Sequence, residues 1–264
     1  MQTGFVDREG FRLHYAMSGR NHAPPLLLLH PLGATMDVWA PQLPQLDPYF
    51  RVIRYDVRGH GKSEVPPGAP TPRTLADYAE DALAVLDAAR APRAHWVGLS
   101  LGGQTAMWAA TRHAGRVRRL VLANTGPYLP PASNWDERIA TALSQGMGPI
   151  AEVVPGRWFT AAFREREPDL VARTVEMVRG TQPRGYAEAC GALRDADLRD
   201  SITGILAPTL IIAGAQDVAT PVEHAESMNA GIPGSDLLVL DASHLSNVEQ
   251  PEDFGRALVD FLRD

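Results

Sequence analysis

Ala94-His95-Trp96-Val97-Gly98-Leu99-Ser100-Leu101-Gly102-Gly103 opens as a strand and closes as a helix. Ala94 to Gly98 has strand character, and an apolar helical rhythm runs from Leu101 to His113. Between them lies Gly-x-Ser-x-Gly. That pattern carries little information alone but is informative at a strand-to-helix junction. A serine on so sharp a turn stands clear of the sheet. The flanking glycines relieve the crowding of a strained backbone, and the helix N-terminus behind it favours developing negative charge.

The same alternation extends in both directions. Upstream, Phe5-Val6 and Phe11 to Ala16 flank the turn residues Asp7-Arg8-Glu9-Gly10 and read as a hairpin. Leu26 to Leu29 does not alternate, as befits a strand buried on both faces, and Phe50 to Tyr55 is the next strand. Leu75 to Arg90 has helical spacing, and Val117 to Ala123 is a strand. After Asn124 the rhythm stops: 125–200 is helical in composition, including Trp135–Leu143, Ile150–Phe163 and Pro168–Arg179. It resumes with strand Thr209–Ala213, helix Val222–Ala230, strand Leu237–Leu240 and helix Glu252–Leu262. The reading is an α/β fold, a doubly wound and mostly parallel sheet, with residues 1–124 and 201–264 as core and 125–200 as an inserted helical lid.

Composition narrows the partners. At 264 residues, 45% hydrophobic and 21% charged, the chain is an ordinary globular protein. A net charge of −6 and the lack of a basic run argue against nucleic acid. The longest apolar run, Ile205 to Ala215, contains Pro208 and falls short of the roughly 20 residues that span a bilayer. Met1-Gln2-Thr3-Gly4 lacks a signal-peptide pattern, so a cytoplasmic protein without a membrane partner is expected. The single cysteine, Cys190, forbids an intrachain disulfide and a Cys-rich zinc site. The oligomeric state is left open, a homo-oligomer included.

A serine hydroxyl becomes a useful nucleophile only when a base takes its proton and an acid orients that base. His244 follows the last strand, on the loop at its carboxyl edge, where such sheets gather their catalytic groups. Asp217 ends Ala213-Gly214-Ala215-Gln216-Asp217 at the same edge, between serine and histidine in chain order. Asn124 occupies the alternative acid position, and an amide stabilises an imidazolium less well. His95 and His14 belong to strands, while His22, His113 and His224 are expected to be solvated. The oxyanion donors should be the backbone amides of Leu101 and of Leu32, in His30-Pro31-Leu32-Gly33, with His30 bracing that loop. The lid residues Trp135, Arg138, Arg157 and Trp158 combine apolar surface with guanidinium groups that could hold a carboxylate substrate. Asp56-Val57-Arg58-Gly59-His60-Gly61-Lys62-Ser63 lacks phosphate-loop spacing, and nucleotide binding is rejected.

With these motifs in this order, the chain resembles the α/β-hydrolase superfamily over nearly its whole length. Arg157-Trp158-Phe159-Thr160, Arg164 to Pro168, Gly185-Tyr186-Ala187-Glu188, Asp195 to Arg199 and His244 to Pro251 narrow the resemblance toward the 3-oxoadipate enol-lactonases. The resemblance implies that Ser100, Asp217 and His244 form a catalytic triad. It also implies no cofactor and no metal, and a small ester or lactone as substrate. Those lactonases usually read Asn-Ser-Leu-Gly where this chain reads His30-Pro31-Leu32-Gly33, which leaves a carboxylesterase, another lactonase, a perhydrolase or a carbon–carbon bond hydrolase as alternatives. A non-catalytic ligand-binding relative is the alternative from another class.

Overall fold

A computed structural model describes residues 1–68 and 72–263. Eight strands form one sheet in the order β1-β2-β4-β3-β5-β6-β7-β8: β1 (Gln2–Arg8), β2 (Phe11–Gly19), β3 (Pro25–Leu29), β4 (Arg51–Tyr55), β5 (Ala94–Leu99), β6 (Val117–Ala123), β7 (Thr209–Gly214) and β8 (Asp236–Leu240). The hairpin β1–β2 is antiparallel and longer than its apolar residues suggest, pairing from Gln2↔Met17 to Arg8↔Phe11. The polar residues at its start, Gln2 and Thr3, join by backbone pairing with Met17 and Ala16. β2 also runs antiparallel to β4, and every later pair is parallel. Every residue of β5 and β7 is buried, His95 and Thr209 included, as expected of strands covered on both faces.

The helices are α1 (Leu43–Leu46), α2 (Leu75–Ala88), α3 (Leu101–Arg112), α4 (Ala132–Gln145), α5 (Gly148–Trp158), α6 (Ala161–Arg166), α7 (Pro168–Arg179), α8 (Pro183–Asp195), α9 (Val222–Gly231), α10 (Ser246–Glu249) and α11 (Pro251–Arg263). In the core, α2 packs on α3, and α1 packs on α11. The five helices between β6 and β7 pack largely on one another, α4 against α8 and α5 against α7. A bridge between Tyr128 and Asp197 and the bond from Leu198 N to Pro127 O (2.8 Å) join the two ends of this segment. Its far side meets the core where Gly59 and Gly185 touch: a Cβ on Gly59 would lie 2.5 Å from Gly185 Cα.

One expectation for this segment needs correction. Ile150 to Phe163 is not one helix. The chain breaks at Phe159, and Thr160 starts a new helix by accepting a hydrogen bond from Phe163 N at 3.2 Å. The helix α8 escaped the periodicity reading. Pro183 sits in its first turn, and its buried Tyr186, Ala187, Ala189, Cys190, Ala192 and Leu193 form a face of mostly small residues.

Candidate active site

Strand order places the site. β3 is followed by β4 on one side, whereas β5 is followed by β6 on the other, so adjacent strands β3 and β5 send their chains apart. A crevice opens at the carboxyl ends of such a pair. Both Leu32, after β3, and Ser100, after β5, lie there.

Ser100 holds φ 56° and ψ −114°, a conformation that side-chain-bearing residues rarely adopt. Its neighbours explain how the turn is tolerated. A Cβ on Gly98 would overlap the Gly102 carbonyl, and one on Gly102 would overlap the Leu29 carbonyl. The turn therefore packs backbone to backbone on β3. Ser100 N donates to Ala123 O at 3.0 Å, and the Thr125 hydroxyl donates to Ser100 O at 2.9 Å. Leu101 N is the first amide of α3. Neither it nor Leu32 N donates to another group among the described residues.

His244 Nδ1 lies 2.8 Å from Asp217 Oδ2. That oxygen also accepts from the Thr220 hydroxyl at 2.7 Å and from Asn124 Nδ2 at 3.0 Å. The other oxygen accepts from Ala219 N (2.7 Å) and Thr220 N (3.0 Å). Burial opposes the charge of Asp217. The interaction with His244 and the hydrogen bonds from His244 and Thr220 outweigh it and hold the carboxyl well below the usual carboxylate range. An ionised carboxylate only accepts, so Nδ1 carries the proton and Nε2 of a neutral His244 keeps a free lone pair.

Ser100 and His244 share the wall of a cavity of about 510 Å³ with Leu32, Arg138, Arg157 and Trp158. No hydrogen bond joins Ser100 to His244 among the described residues; such bonds commonly tighten only when substrate is bound. Trp135 lines the cavity too, its indole nitrogen donating to Leu129 O at 2.7 Å. The Arg138 guanidinium lies 5.1 Å from the centre of the Trp135 ring. Arg157 has a buried Nε without a hydrogen-bond partner. Burial, and then the charge of Arg138, lower its pKa. Neither arginine forms an ion pair among the described residues.

Several residues take roles at the site that local sequence does not signal. Asn124 donates to Asp217 and to Ser243 O (3.2 Å), so the residue at the alternative acid position supports the acid instead. Buried Glu249 accepts from Ser243 N at 2.9 Å and from the Thr160 hydroxyl at 2.7 Å, tying the α5–α6 break to the histidine loop. Leu245 N adds a bond to Trp158 O at 3.1 Å. His224, expected in solvent, is half-buried on the cavity wall against Gly126. Only the position of Asn124 at a strand end could have signalled any of these.

A model of the alpha/beta hydrolase fold family matches residues 24–251. Among curated proteins, 3-oxoadipate enol-lactonase 1 of Acinetobacter baylyi is 35% identical, the match covering 98% of this chain and 96% of that protein. 3-oxoadipate enol-lactonase 2 of the same bacterium is 37% identical over 93% and 91%. Among solved structures, the enol-lactonase of Burkholderia xenovorans LB400 superposes with a TM-score of 0.95 at 39% identity, covering 99% of this chain and all of that one. With the sheet order, the serine turn and these matches agreeing, the chain belongs to the alpha/beta hydrolase fold family.

Proposed function

We propose that the protein is a serine hydrolase that opens an anionic lactone through an acyl-enzyme, with 3-oxoadipate enol-lactone as its substrate. The observation that carries the reading is the convergence on one cavity of Ser100 at its strained turn and His244 backed by ionised Asp217. The substrate class follows from Arg138 and Arg157, two arginines that line that cavity and form no ion pair among the described residues, although Glu137 lines it as well. The named lactone carries one carboxylate, and the two curated relatives are named for it.

In this mechanism His244 Nε2 takes the Ser100 proton as Oγ attacks the lactone carbonyl. Asp217 holds the imidazole and stabilises the imidazolium that forms. The amides of Leu32 and Leu101 receive the oxyanion. As the intermediate collapses, the ring C–O bond breaks and the leaving enol oxygen takes the proton from His244. It stays attached to the acyl group, so nothing departs at this stage. Water then gives a proton to His244 and attacks the ester, and Ser100 leaves with that proton, releasing the acid. Residues 1–124 and 201–264 form the core in this reading, while 125–200 act as the lid that supplies Trp135, Arg138, Arg157 and Trp158.

The test is a side-by-side assay of the enol-lactone, its neutral methyl ester and a simple aryl ester. The proposal expects the enol-lactone to be turned over with the highest kcat/KM. Turnover of the aryl ester with none of the enol-lactone would reject the substrate, and no turnover of any would reject the hydrolase.

A further inference from the structure

Two buried histidines that the proposed chemistry does not use flank the Leu32 loop. His30 is fully buried; its Nε2 accepts a hydrogen bond from Val57 N at 2.9 Å, and its Nδ1 lies 2.8 Å from Pro31 O. His60 is also fully buried; its Nε2 accepts from Gly33 N at 3.0 Å, and its Nδ1 lies 3.0 Å from Arg58 O. A backbone N–H can only donate, so both Nε2 atoms are acceptors. Each proton therefore sits on Nδ1, where it donates to a carbonyl. The rings lie 5.5 Å apart, and burial keeps both neutral.

These bonds fall on the two peptides that meet at Leu32. Pro31 C=O and Leu32 N–H belong to one planar trans unit and point in opposite directions. Holding the carbonyl, as His30 and Ala34 N (3.1 Å) do, aims the amide the other way. His60 holds the N–H of the next peptide, at Gly33, so the backbone on both sides of Leu32 is fixed.

We infer that His30 and His60 are positioning residues that set the Leu32 amide for the oxyanion, one by donating through Nδ1 and the other by accepting through Nε2. The inference rests on the proposed role of Leu32 in the hydrolase. It gives a crossed pattern of rescue. Asparagine places its amide nitrogen near the Nδ1 position of histidine, whereas glutamine extends its amide oxygen toward the Nε2 position. His30→Asn and His60→Gln should therefore keep kcat within about fivefold, while His30→Gln and His60→Asn should lose about a hundredfold, the scale of a lost oxyanion donor. KM should stay within about threefold throughout, because the ground-state carbonyl needs the donor least. Equal kcat for Asn and Gln at either position, or losses confined to KM, would overturn the inference.

Where variants do not fold, ¹⁵N NMR of the wild-type imidazoles tests the same point. Both rings should be Nδ1–H tautomers at neutral pH; an Nε2–H tautomer or an imidazolium would overturn it. Wild-type activity on the three substrates above is scored separately, so a failed hydrolase reading is distinguishable from a failed positioning role.

Discussion

Arg157→Met separates the binding of charge from the rest of the site. Methionine keeps much of the aliphatic stem while removing the guanidinium. In the free protein that guanidinium is partly desolvated, repelled by Arg138 and left with an unpartnered Nε. Removing it should not lower the melting temperature, because its guanidinium makes no hydrogen bond among the described residues. With an anionic substrate the sign reverses. A charge-assisted hydrogen bond in a half-buried site is worth about 1.5–3 kcal/mol, and Arg138 remains to hold part of the carboxylate. A loss of about 1.5–3 kcal/mol corresponds to about 13- to 160-fold in kcat/KM. The assay compares kcat/KM for the enol-lactone and for its neutral methyl ester in both proteins, alongside thermal melts. The anionic substrate should lose that factor, the neutral ester should change less than about threefold, and stability should hold. Equal losses on both substrates would refute charge recognition by Arg157.

Three further outcomes follow from the geometry. Asp217→Asn keeps the shape but offers a donor where His244 Nδ1–H needs an acceptor, so kcat should fall by about 10⁴ with KM little changed, read by steady-state kinetics. Gly98→Ala forces a Cβ onto the Gly102 carbonyl, and chemical denaturation should show a loss of about 3 kcal/mol or more. Acid should destabilise the fold early: burial first, then Arg118, Arg119 and Arg93, lower His95 to about 4, and burial first, then His30, lowers His60 to about 3. Between their unfolded value near 6.5 and these folded values the unfolded chain binds more protons. Their contribution is thus complete above pH 6.5 and is lost as pH falls through this window, by up to about 1.4 kcal/mol per histidine per pH unit. A stability that stays flat from pH 6.5 to 4.5 in urea titrations would contradict this.

What could be read in the sequence is what local physics determines. The runs Leu26–Leu29 and Thr209–Ala213 announce buried strands because both faces are covered. The serine turn is legible because its backbone contacts leave room only for glycine at 98 and 102. Asp217 and His244 could be placed by their position at strand ends, and the structure joins them at 2.8 Å. What escaped depends on distant partners. Asn124 supports an acid 93 residues away, Thr160 is held by a carboxylate 89 residues away, and His60 reaches a loop 27 residues before it. None of these contacts leaves a periodic or spacing signal. The helix α8 escaped because alanine, glycine and cysteine make a buried face of low contrast, and at the α5–α6 break Thr160 donates to the distant Glu249. His224 looked solvated because its helix is polar, yet Gly126 leaves the space that brings its ring to the cavity.

The covalent step proposed at Ser100 can be tested directly. After treatment with a fluorophosphonate at neutral pH, peptide mass spectrometry should find the adduct on the serine of Gly98-Leu99-Ser100-Leu101-Gly102. Labelling should be far slower in His244→Ala and absent from Ser100→Ala. An unlabelled wild-type protein, or an adduct on a different residue, would contradict the account.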